Sequence, residues 1–205
     1  MQISTEMAVY LGLASTSLNV LGNIPYAVEV WRGHAKPTLS TWTIWGGLDT
    51  LRFVAMFWAG IISYQMIGSI IGILIILAIG AWRGMLVPWA KSDGFIAAVI
   101  MVGMGASIHF GGTPWWVLLA SLIAVTLGSL PMFWKTIKEP YSEPLGAWGM
   151  FWSAAVTQFL ASPDYSFEAI AVPVWFGTLM TVLMLTIVAR RQFVEKPPAL
   201  VLATA

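Results

Sequence analysis

The chain has 205 residues, no cysteine and a formal net charge of +1, and it is 59% hydrophobic but only 9% charged. An ordinary soluble domain is about 45–50% apolar and about 25% charged, so a soluble catalytic module is excluded. The missing cysteines exclude disulfides, thiolate metal sites and cysteine nucleophiles.

A membrane crossing needs about 20 mostly apolar residues. By that measure the apolar runs predict seven transmembrane helices, at about 7–30, 39–62, 66–88, 94–110, 115–135, 144–162 and 167–189. The fold class is therefore an all-α membrane protein in which one integral domain uses nearly the whole of residues 1–205. The first span is not read as a cleaved signal peptide, because no basic residue precedes it and Glu6 stands at its start. It carries Ser15, Asn19 and Asn23 at a spacing of four, which puts them on one face, and Pro25 near its end. Polar residues of this kind either face a cavity or bond helix to helix. Glu29 lies near the end of the span, where a long side chain can reach water.

The second span holds the sharpest local feature. Trp42, Trp45, Asp49, Arg52 and Met56 are three and four residues apart and form one helical stripe. Burying either charge alone at the bilayer centre costs roughly 2.5–3.5 kcal/mol, so Asp49 and Arg52 must face each other, protein or water. They are read either as a site, with Arg52 holding a carboxylate or phosphate and Asp49 a coupling proton, or as a static ion pair. The third span carries Gly68-x-x-x-Gly72 and Gly80-x-x-x-Gly84, close-packing signals expected to act within a helix bundle, and ends at a snorkelling Arg83. The fourth is the shortest. The fifth carries Ser121, Ser129 and Pro131, and the sixth carries Trp148, Phe151, Ala155 and Gln158. The seventh has no lysine, so a retinal Schiff base is excluded. The tail QFVEKPPALVLATA is expected to be a loose end.

The chain repeats itself. Shifted by 106 residues, LASTSLNVLGNIPYAVEVW falls on LASLIAVTLGSLPMFWKTI without a gap, and Gly22, Pro25, Leu39, Trp42 and Phe53 meet identical residues at Gly128, Pro131, Leu145, Trp148 and Phe159. Repeat one is 7–90, the linker helix 94–110 and repeat two 113–190. Internally duplicated membrane proteins tend to place a site between their repeats. In this register Gln158 answers Arg52, whereas Ala155 stands where the acid Asp49 does. Pro25 and Pro131 recur three residues after a glycine and are read as a paired hinge.

Charge sets the expected orientation. Arg32 and Lys36 follow the first span, Lys91 the third, Lys135 and Lys138 the fifth, and Arg190, Arg191 and Lys196 the seventh, while the alternate loops carry no Lys or Arg. The positive-inside rule then puts the amino terminus outside and the carboxyl terminus in the cytoplasm, with Asp164 and Glu168 outside. His34 and His109 fall on opposite sides, so no metal site joins them. Neither Asn19 nor Asn23 begins a glycosylation sequon, which leans towards a bacterial plasma membrane. Trp31, Trp58, Trp82, Trp89, Trp115, Trp116 and Trp134 fall at expected interfaces and are read as anchors; Trp45, Trp152 and Trp175 sit deeper, where they stack on a ring-bearing solute or pack the core.

The segment PYAVEVWRGHAKPTLSTW, with Pro25, Trp31-Arg32, a short basic loop and Leu39-Ser40, resembles the PQ-loop motif of the family that includes cystinosin-like and SWEET transporters. PMFWKTIKEPYSEPLGAW matches it with Pro131, Lys135, Lys138 and Leu145-Gly146, and the Gln after each proline is Tyr26 or Met132 here. The resemblance implies two parallel three-helix bundles joined by a linker helix (3+1+3), with an outside amino terminus. The expected function is a small-solute carrier, optionally proton-coupled, whose site draws on Asp49, Arg52, Gln158, Asn19, Asn23, Trp45 and Trp175. The alternative is a non-transporting receptor or accessory subunit on the same fold. No enzyme constellation, metal or cofactor is expected; the expected partners are a small solute and the bilayer, with no nucleic acid, and homo-oligomerisation is left open.

Overall fold

In lipid a backbone must satisfy its own hydrogen bonds, which a helix does within one segment. The computed structural model describes residues 4–58, 64–109, 114–162 and 165–195, and no strand occurs among them. Seven α-helices follow one another: α1 (Thr5–Trp31), α2 (Leu39–Trp58), α3 (Tyr64–Trp82), α4 (Lys91–His109), α5 (Pro114–Lys138), α6 (Leu145–Leu160) and α7 (Phe167–Arg191). A single 3-10 turn, Pro140–Ser142, precedes α6. Each helix lies within a few residues of an expected apolar run. Ser4 caps α1 by accepting from the Met7 amide at 3.3 Å, and the loops after α1 and α3 turn at Gly33 and Gly84, where φ is +79° and +63°, a conformation that favours glycine.

Among the described residues, three helices contain stretches long and apolar enough to cross a membrane: Glu6–Trp31, Leu119–Lys138 and Ala169–Arg191, with a shorter apolar stretch at Gly68–Trp82. This is fewer than the seven spans expected. The 16 residues of α6 rise only about 24 Å, and the first turn of α4 carries Lys91 and Asp93. The outer faces are nonetheless apolar: Tyr10, Leu13, Leu74, Phe95, Met101, Val102 and Leu185 are all well exposed. Patches of that kind mark a surface that meets lipid or a partner.

Helix neighbours do not follow chain order. α3 packs between α1 and α2, and α7 between α5 and α6; across the middle, α1 packs on α6 and α2 on α5. Direction follows from the contacts. Ser15 bonds to Ala154 while Gly22 abuts Phe151, so α1 and α6 are antiparallel. Trp45 meets Val125 and Ile44 abuts Gly128, so α2 and α5 are antiparallel too. α4 packs on α5 and is tied to the start of α2 by a 2.7 Å hydrogen bond from the Ser40 hydroxyl to Asp93.

The glycine pair of α3 is a close-packing device within this arrangement, as expected. A Cβ at Gly68 would lie 2.5 Å from Val20, and one at Gly72 would overlap the Asn23 side chain. Gly80 abuts Leu86 and Pro37, whereas Gly84 faces open space and serves the turn.

The basic residues gather at one end. Lys36 bonds to Glu139 at 3.2 Å, Arg190 and Arg191 donate to the backbone of Ile137, Pro140 and Glu143, and Arg83 lies over the Trp31 ring. Two loops are stitched there as well: the Leu39 amide donates to the Val87 carbonyl and the Val87 amide to the Pro37 carbonyl. Trp31, Trp82, Trp89 and Trp134 are exposed around the same end, in keeping with interfacial anchors. Met56, Trp58, His109, Trp115, Trp116, Asp164, Glu168 and the tail from residue 196 onward fall outside the described side chains.

Candidate functional site

The stripe on α2 and its counterpart on α6 line opposite walls of one cavity of about 250 Å³. Trp42, Trp45 and Asp49 come from α2; Trp148, Phe151, Ala155 and Gln158 come from α6. In the 106-residue register Trp42 answers Trp148, Trp45 answers Phe151 and Asp49 answers Ala155. Asn19 and Asn23 add polar groups from α1, with Val125 of α5 at the position matching Asn19. Ser69 and Ile73 of α3 and Pro173, Phe176 and Met180 of α7 complete the wall. Six helices thus contribute, three from each repeat, and α4 contributes none.

Aromatic rings form the floor at the basic end. Trp42 and Trp148 have ring centroids 6.4 Å apart, and Trp45 approaches Trp148 to 6.2 Å. Tyr26 closes the layer beneath them, 4.8 Å from Trp42 and 5.7 Å from Trp148. All three of Tyr26, Trp42 and Trp148 are buried. Edge-to-face and tilted pairs of this kind are the favoured aromatic geometries.

Polar groups lie above that floor. Asp49 is ten residues into α2, about 15 Å up the helix, and accepts a 2.7 Å hydrogen bond from the Ser69 hydroxyl. Asn23 donates to the Asn19 carbonyl at 3.0 Å, and the Trp45 indole donates to the Val125 carbonyl at 3.4 Å, joining α2 to α5. The lining therefore combines one carboxylate, carboxamides and a hydroxyl with broad aromatic faces. Such a surface suits a small solute having both polar groups and an apolar face.

Of the expected site residues, Asp49, Gln158, Asn19, Asn23 and Trp45 come together here. The Arg52 side chain lies outside the described residues. Trp175 is a correction: it is 36% exposed and donates to the Thr126 hydroxyl at 2.8 Å on the α5–α7 seam, away from the cavity. Trp152 is likewise 38% exposed and bonds to Thr181, so neither belongs to a deep stacking surface. A single stripe of spacing cannot tell which side of a helix meets its neighbours, and both rings point to the outer seams. Ser15 proves to be helix-to-helix glue, donating to the Ala154 carbonyl at 2.8 Å, and Ser129 bonds back to Val125 of its own helix. Pro25 and Pro131 lie inside α1 and α5 and do not line the cavity.

Sequence reasoning missed Ser69, Phe176 and Met180, and it placed Trp42 and Trp148 on matching helical stripes without counting them among the site residues. Ser69 had a signal, since it stands alone between two glycines in an otherwise apolar run. It also missed Glu143, which reads as a solvated loop acid between prolines yet is fully buried. Its carboxylate pairs with Lys135 and accepts from the Tyr26 hydroxyl at 3.1 Å and the Trp148 indole at 3.0 Å. Among the described residues no three His, Cys, Asp or Glu side chains converge as a metal site would require. No protein-family model matches the chain, and no curated protein or solved structure is significantly similar to it.

Proposed function

We propose that the protein is a small-solute membrane carrier that works by alternating access, with its solute held in the cavity between two three-helix bundles. The observation that carries this reading is the cavity itself. Matching positions of two repeats line it, its polar groups sit part-way along the helices, and an aromatic floor closes it at the basic end. Transporters built from repeats place their sites in this way.

The 3+1+3 plan is part of the proposal. α1, α3 and α2 form one bundle, α5, α7 and α6 the other, and α4 is the linker. The parallel sense of the repeats is supported by neighbour directions. α1 runs against α6, α6 runs against α7 through Trp152–Thr181 and Ser162–Ala169, and α7 runs with α5 through Trp175–Thr126 and Arg190–Ile137. α1 and α5 therefore point the same way. The basic end belongs in the cytoplasm by the positive-inside rule, leaving the amino terminus outside. The resemblance of the Pro25 and Pro131 segments to PQ-loop motifs agrees with this plan. Each proline removes one helical hydrogen bond and supplies a bending point, so that one bundle rocks against the other.

Asp49 is the coupling acid in this reading, and Arg52, one turn further on, is its partner or a hold for an anionic group. Purified protein in liposomes, assayed for uptake over sugars, amino acids and carboxylates with and without a pH gradient, tests the proposal. Uptake of one class saturating with concentration supports it. Specific binding without any flux overturns it in favour of a receptor or accessory subunit.

A further inference from the structure

Beneath the aromatic floor, Glu143 is fully buried although it belongs to a loop. Its own half holds it rigidly: Arg191 donates to the Glu143 and Pro140 carbonyls and lies over the Tyr141 ring. Lys135, also of the second half and also buried, is its ion-pair partner. Two groups of the first half reach this pair. The Tyr26 hydroxyl donates to Glu143, and the Lys36 carbonyl accepts from the Lys135 ammonium.

We propose that the Glu143–Lys135 pair is a charged latch that holds the basic end of the cavity shut, and that the cavity opens toward that end when Tyr26 and the Lys36 carbonyl withdraw from it. The proposal rests on the carrier reading. A buried ion pair is weak evidence of stabilisation, because apolar residues of similar volume do as well or better; a pair retained here calls for another role. The division of partners supplies one. Both charges belong to one half, so parting the halves strips two hydrogen bonds from the pair, together with the Lys36 amide's bond to the Ser142 carbonyl and the exposed Lys36–Glu139 contact beside it, but leaves Glu143 and Lys135 each its counter-ion. Separation therefore strands no buried charge, the outcome that makes breaking a buried pair so costly, since the Lys36 and Glu139 side chains it parts are both exposed.

The latch exists on one side of the repeat only. In the 106-residue register Glu29 stands where Lys135 does, Pro37 where Glu143 does and Met132 where Tyr26 does, so the mirror arrangement cannot form. Trp148 joins latch to cavity, because its ring lines the cavity while its N–H holds Glu143. A solute that shifts this ring draws a donor away from the carboxylate, which links occupancy to release.

The natural absence of cysteine makes the test direct. Ala154→Cys places one thiol on the cavity wall, and a membrane-impermeant thiol reagent is applied from the basic end in sealed vesicles of known orientation. The otherwise unaltered protein should label slowly from this side. Adding Tyr26→Phe, which removes one bond and leaves both charges paired, should raise the rate about fivefold or more, and Glu143→Gln more still, with labelling from the opposite side unchanged or slower. Should Glu143→Gln fail to fold, Tyr26→Phe decides. Unaltered labelling from the basic end in folded Tyr26→Phe, or an equal rise from both sides, overturns the latch. Uptake measured on the same preparations separates the two readings. Flux with latch-independent labelling leaves the carrier and removes the latch, whereas latch-dependent labelling without flux does the reverse.

Discussion

Trp42 and Trp148 hold matching places in the two repeats and meet with ring centroids 6.4 Å apart, yet only one of their indole N–H groups is satisfied. Trp148 donates to Glu143 at 3.0 Å, whereas the Trp42 indole N–H makes no full hydrogen bond among the described residues and interacts only weakly with the Tyr26 hydroxyl. The difference traces to a single loop position, Glu143 in one repeat and Pro37 in the other. Near-symmetric walls thus rest on an asymmetric base.

That asymmetry predicts unequal mutants. Trp148→Phe leaves the buried carboxylate short of a donor, a loss of about 1.5–3 kcal/mol for a bond to a charged group. Trp42→Phe removes at most a weak interaction with a neutral hydroxyl and should cost less. Thermal unfolding in detergent should show the lower midpoint for Trp148→Phe. Equal midpoints would mean that the Trp148–Glu143 bond contributes nothing.

Asp49 and Arg52 should matter for transport rather than folding. Asp49→Asn and Arg52→Gln are each expected to lower uptake by about tenfold or more, equivalent to at least about 1.4 kcal/mol, while leaving the unfolding midpoint within a few degrees. Ser69→Ala removes a hydrogen bond to the Asp49 carboxylate and should show an intermediate loss. Normal uptake by both charge variants would take the pair out of the mechanism and leave it an orienting device.

Gly72 tests the seat of Asn23. A methyl group there would overlap the Asn23 side chain, so Gly72→Ala should cost about 1–3 kcal/mol through overpacking and impair uptake by displacing a cavity-lining amide. Gly12→Ala and Gly47→Ala, whose new Cβ atoms would meet nothing within 4 Å, serve as comparisons. They should be neutral or slightly stabilising, since alanine favours a helix over glycine by about 1 kcal/mol. Three equal shifts in midpoint would argue against the tight α1–α3 contact.

Orientation is open to the same cysteine strategy. Thiols introduced as His34→Cys, in the loop after α1, and Lys138→Cys, at the exposed end of α5, should label from the cytoplasmic side, and Glu6→Cys from outside. Labelling of His34→Cys and Lys138→Cys from opposite sides would contradict parallel repeats.

Much of this site is legible in the residues alone. Trp45 and Asp49 could be placed together because helical spacing puts residues three and four apart on one face, and the repeat register carried that face to Gln158. Asn19 and Asn23 followed by the same rule. Trp175 and Trp152 could not be placed, because depth along a helix says nothing about the direction of a side chain around it. Glu143 escaped for a related reason: no periodicity in EPYSEP marks a loop acid for burial, and its partners Tyr26 and Trp148 lie 117 and 5 residues away.

The amino-acid order alone determined where the helices run and where charge collects, and it carries the 106-residue register, because each depends on local hydrogen bonding, on apolar run length or on the order of residues along the chain, all one-dimensional properties. Tertiary packing decided that α3 packs between α1 and α2 and α7 between α5 and α6, that Ser69 reaches Asp49, that two tryptophans turn outward and that a loop carboxylate closes beneath the cavity. These outcomes depend on which surfaces meet across long stretches of chain, with helices brought close where Gly72 and Gly128 leave room for Asn23 and Ile44.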